Sequence, residues 1–130
     1  VLDLSHNKLN MLNELLFKNI FNLVILKLDS NNLKLISNQS FSGLLSLRSL
    51  DLSNNFIEFI QENSLKDLKY LEFLNLSFNQ IVFLDYLANF ESLKNFFVTN
   101  IFDNLNNMNN LLQTVKPKYF KTSSYRSIIF

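Results

Sequence analysis

Four asparagines, Asn7, Asn31, Asn55 and Asn79, stand 24 residues apart in a chain of 130, and a frame of leucines moves with them. The clearest copy runs from Leu47 to Ile57 and reads L-x-x-L-x-L-x-x-N-x-I; Leu23 to Leu33 and Leu71 to Ile81 repeat it in phase. A fixed period of this length marks a solenoid, in which each turn buries its apolar face only against the turns stacked on it. With repeat positions counted from Leu23, Leu47 and Leu71, side chains alternate as a short strand requires. Positions 1, 4 and 6 then face a core, while positions 3, 5, 7 and 8 face solvent on the concave side of a parallel sheet. The chain must bend after each strand, leaving peptide groups inside. A buried asparagine amide, with two donors and an acceptor, can bind both its own loop and that of a neighbouring turn. Asn7, Asn31, Asn55 and Asn79 are therefore expected to be a structural ladder.

The second half of each repeat is periodic too. Position 14 holds Leu12, Ile36, Ile60 and Leu84; position 19 holds Phe17, Phe41 and Leu65; position 22 holds Ile20, Leu44 and Leu68. Together with the leucine and asparagine frame, the F-x-x-L segment resembles the leucine-rich repeat family. The likeness is mostly to its typical 24-residue class, common in animal extracellular proteins and receptors. One repeat, Leu71 to Ser92, has the 22-residue form with Leu84, Leu87 and Phe90, found in intracellular as well as secreted proteins.

The resemblance implies an α/β solenoid: a right-handed superhelix with a parallel concave β-sheet of about five short strands and an irregular or short-helical convex side. Residues 1–112 divide into repeats 1–22 (partial), 23–46, 47–70, 71–92 and 93–112 (degenerate, with Ile101 at the asparagine position). Residues 113–130 fit no repeat frame. Lys116-Pro117-Lys118 breaks the chain there, and the apolar Tyr119, Phe120, Tyr125 and Ile128 to Phe130 read either as a cap or as the start of a neighbouring domain. Val1-Leu2-Asp3-Leu4 reads as mid-strand, so further repeats of the same chain are expected upstream.

Enzymatic chemistry has little to work with. His6 is the sole histidine, there is no cysteine, and one glycine cannot build a phosphate loop. No catalytic residue, cofactor or metal is expected. With 12 basic and 11 acidic residues the chain lacks the charge for nucleic acid. It also has no apolar run near the roughly 18 residues of a membrane helix, so this segment is not expected to insert.

The reading that remains is a protein–protein interaction module. The resemblance places it in the ectodomain of a membrane receptor or adhesion protein, binding a protein or peptide ligand on its concave face outside the cell. The alternative is a cytoplasmic scaffold or regulatory subunit. Candidate contact residues are Ile25 and Phe73 at position 3, Lys27, Asp51 and Asn75 at position 5, and Phe78 at position 8. The row Asp3, Lys27, Asp51, Asn75 reads either as a charge ladder worth roughly 0.2–1 kcal/mol per pair or as a polar recognition strip.

Position 13 holds an unexpected apolar row, Met11, Leu35, Phe59 and Phe83. The row either closes the edge of the core or forms a lateral docking stripe, with the first expected. The sequons at Asn38 and Asn75 differ in placement. Asn38 on an outer loop is the candidate glycosylation site, whereas a glycan on Asn75 would obstruct the concave face.

Overall fold

The computed structural model describes residues 1–81 and the strands at 95–98 and 128–129. Its elements are short: β1 (Leu2–Asp3), β2 (Ile25–Lys27), β3 (Leu35–Ile36), β4 (Ser49–Asp51), β5 (Phe59–Ile60), β6 (Phe73–Asn75), β7 (Asn95–Val98) and β8 (Ile128–Ile129). The first strand of every repeat joins one sheet in the order β1-β2-β4-β6-β7-β8, parallel throughout except for the antiparallel β7–β8 pair. Pairing is position for position. Asp3 lies opposite Lys27, Lys27 opposite Asp51, Asp51 opposite Asn75, and Asn75 opposite Phe97. A 24-residue spacing that keeps register across several strands is what places like positions in straight rows.

The rows build the core by identity. Leu26, Leu50 and Leu74, with Leu28, Leu52 and Leu76 two residues on, are all buried. Phe17 and Phe41 stack with ring centroids 6.3 Å apart and planes 11° from parallel. Leu65 continues their row. Among the described residues the convex side is a series of turns closed by short-range bonds, such as those from Ile20 N–H to Phe17 O and from Leu44 N–H to Phe41 O. The single glycine serves one of these turns. Gly43 has φ of +89°, and a Cβ there would lie 2.6 Å from the carbonyl oxygen of Lys18 in the preceding turn. The Asp67 carboxylate accepts the Gly43 N–H and the Ser42 hydroxyl, tying that turn to the following one.

The asparagine ladder has a definite direction. Asn55 donates to Leu52 O and Ser53 O in its own turn and to Leu28 O of the preceding repeat, while its Oδ1 accepts from Leu33 N–H of that repeat. Asn31 and Asn79 repeat the pattern. The inter-repeat partner is thus the turn before, and three of the four amides are buried. Asn7 differs: it is exposed, and its amide bonds only Leu4 O and Ser5 O of its own turn.

Ile20, in the same row as the buried Leu44 and Leu68, is 40% exposed. Two other expectations are corrected. Position 7 does not face solvent in the third and fourth repeats. Ser53 and Ser77 are buried, drawn under the side chain at position 5. The position 13 row does not close the core. Leu35 and Phe59 sit in β3 and β5, a separate parallel pair, where alternation turns Ile36 and Ile60 inward and leaves Leu35 and Phe59 outside. Met11 is exposed likewise. Phe83, Leu84, Leu87, Phe90, Ile101 and the 113–127 segment lie outside the described residues.

Candidate interaction surface

Position 5 of the concave sheet is less free than its exposure suggests. In Asp-Leu-Ser and Asn-Leu-Ser, the side-chain oxygen at position 5 accepts the backbone N–H of the serine two residues on. This holds for Asp3 with Ser5, Asp51 with Ser53 and Asn75 with Ser77. The Ser5 and Ser53 hydroxyls donate to the same carboxylates. Each such side chain braces the bend that ends its strand, as short polar residues do in turns. The signal is present in the sequence as a recurring D/N-L-S triplet.

The charges are used unevenly. Lys27 Nζ lies 3.1 Å from an Asp3 carboxylate oxygen. Asp51 accepts instead from the Asn75 amide at 3.2 Å, so the alternating ladder is one ion pair followed by one amide–carboxylate bond. Ser5, through its hydroxyl and then its backbone N–H, and after it Lys27, hold the Asp3 carboxyl down from its ordinary 3.8 to about 2. A depressed acid of this kind favours the folded state at any pH above its ordinary value. That contribution fades as pH falls toward 2. On the outer flank of the sheet Arg48 pairs with Glu72.

The apolar candidates cluster toward β6. Ile25, Ser49 and Phe73 share position 3 and are each half-buried in the sheet. Phe78 is 49% exposed just beyond β6. Its backbone is more informative than its exposure. The four described residues at position 8, His6, Ser30, Asn54 and Phe78, have positive φ between 53° and 58°. The left-handed region suits asparagine or glycine and disfavours a bulky side chain by roughly 1–2 kcal/mol. Asn54 fits the site, and Phe78 does not. Sequence reasoning placed Phe78 on the surface without seeing this strain. It missed Phe56, exposed at position 10, altogether.

Asn38 is exposed on an outer turn, with its backbone N–H bonded to Gln61 Oε1. Among the described residues there is no cluster of His, Cys, Asp and Glu able to hold a metal. No helix among them is long and apolar enough to cross a membrane.

A family model described as leucine rich repeat matches residues 1–55, 21–81 and 46–100. The chain belongs to the leucine-rich repeat family. Family membership makes it an interaction module built on a repeat scaffold. Among solved structures, a chain of the Toll–Spatzle complex from Drosophila, in its glycosylated form, matches at 37% identity with a TM-score of 0.59. That match covers 61% of this leucine-rich repeat chain and 11% of the solved one, so the chain spans a small part of that neighbour's length. A search of curated proteins finds no match.

Proposed function

We propose that this leucine-rich repeat segment is part of a receptor ectodomain that binds a protein ligand outside the cell, with the concave sheet near β6 as the contact face. The observation that carries the reading is Phe78, a half-exposed aromatic held at φ 58° where the fold itself favours asparagine. Backbone strain kept at a half-exposed aromatic points to a role in contact. Phe73 adds a second aromatic on the same strand edge, and half-buried aromatics in fixed positions are the usual anchors of protein interfaces. The likeness to a chain of a Toll–Spatzle complex supports a protein as the ligand class.

Ile25, Lys27, Asp51 and Asn75 complete the face as its polar and aliphatic surround. Lys27 is tied to Asp3 by its ion pair, and Asp51 and Asn75 also brace their own turns. The experiment is capture of extracellular binding proteins by the full receptor, followed by affinity measurement with Phe73→Ala and Phe78→Asn. Each is expected to weaken binding about tenfold or more while the far-ultraviolet spectrum stays unchanged. Unchanged affinity in both would remove the concave face from the reading.

The compartment has its own readout. Asn38 is exposed and lies away from the concave sheet, so a glycan there leaves the binding face open. Protein recovered from its own cells is expected to carry N-linked sugar at Asn38, read by mass spectrometry after enzymatic release. A bare Asn38 throughout would count against an extracellular location.

A further inference from the structure

The flank formed by β3 and β5 carries a second surface, separate from the concave sheet. Leu35 and Phe59 lie opposite each other in register, 43% and 51% exposed, and Met11 holds the same repeat position at 62% exposure. Scattered apolar surface residues are ordinary, but an aligned row on a paired strand edge is not scattered. One residue earlier stand Lys34 and Glu58, both exposed and joined through the Glu58 N–H to Lys34 O bond. These opposite charges sit side by side, yet neither enters an ion pair among the described residues.

We propose that this flank is a self-association surface and that its occupant is the same flank of a second copy of this chain. The pattern is self-complementary. A two-fold axis lying between β3 and β5 and running along them sets Leu35 against the partner's Phe59 and Lys34 against the partner's Glu58. The same operation makes both contacts again in the opposite sense, as an isologous interface requires. An interface built on so narrow a stripe falls in the weak, reversible class.

The test is sedimentation of the full protein. Concentration-dependent dimerisation is expected. Lys34→Glu alone and Glu58→Lys alone each weaken it about tenfold or more, because each sets like charges together across the axis. The combined Lys34→Glu, Glu58→Lys protein restores it, since the pair is complementary again with signs exchanged. Phe59→Ser weakens dimerisation, with circular dichroism confirming the fold and Leu35→Ser as the second apolar variant. A protein that stays monomeric at every concentration overturns the proposal, even if the flank captures some other protein. So does a dimer indifferent to the charge reversals, or a double reversal that fails to restore association.

Discussion

Aspartate at Asn55 is expected to destabilise the fold more than alanine does, although it is the closer isostere. The hydrogen-bond sharing explains why. Leu28 O also receives Asn31, Leu52 O also receives Asn79, and Ser53 O also receives the Ser30 N–H. Removing the Asn55 amide by alanine therefore leaves those carbonyls with a remaining donor. The Leu33 N–H, whose acceptor is Asn55 Oδ1, is left with none. One buried orphan of this kind costs about 1–3 kcal/mol. Aspartate keeps the acceptor for Leu33 but turns a carboxylate oxygen toward three carbonyls, in a site only 5% exposed. A buried charge facing acceptors is worse than a missing donor.

Urea unfolding at neutral pH is thus expected to rank wild type above Asn55→Ala above Asn55→Asp. Asn55→Asp should recover toward wild type in mild acid, where the protonated group can donate again. Asn55→Asp as stable as Asn55→Ala at neutral pH, or without recovery in acid, would contradict this ranking.

The second large effect is at Phe41. Its ring is fully buried and stacked on Phe17, in a row where Leu65 is the natural smaller member. Alanine there removes the ring and leaves a cavity walled by rigid turns, at a cost of about 3–5 kcal/mol. Leucine refills most of that volume, as it does at position 65, and is expected to cost about a third as much. Because stacked repeats are stabilised chiefly through their neighbours, the loss should loosen adjacent turns together. Native-state hydrogen exchange would show this as faster exchange at Ile20 and Leu44, whose amide hydrogens close the turns beside the two rings. Faster exchange confined to the Phe41 turn would argue that the repeats are energetically independent.

The scaffold was legible because its determinants repeat. Leucine rows, the asparagine ladder and the Phe17–Phe41 stack each follow from one 24-residue period, and stacking converts equal spacing into contact. What the period could not reveal was direction within a row. Leu35 and Phe59 are as regular as any core row, yet they point outward because β3 and β5 alternate a second time after the loop. The buried serines were missed for the opposite reason. Ser53 and Ser77 read as solvent-facing by alternation, but the side chain at position 5 bends the strand end and pulls them in. The candidate surface was legible as a list of residues between the leucines. Its internal division was not, since Asp51 and Asn75 serve the scaffold while Phe78 works against it.

That last contrast separates scaffold from function most directly. The measurement is unfolding free energy and partner affinity, determined side by side for wild type and Phe78→Asn. Asparagine suits the left-handed backbone that Phe78 occupies, so stability is expected to rise by up to about 1 kcal/mol. Affinity is expected to fall about tenfold or more as the exposed ring is lost. Stability and affinity falling together would contradict the account, because Phe78 would then be part of the fold and not of its binding face.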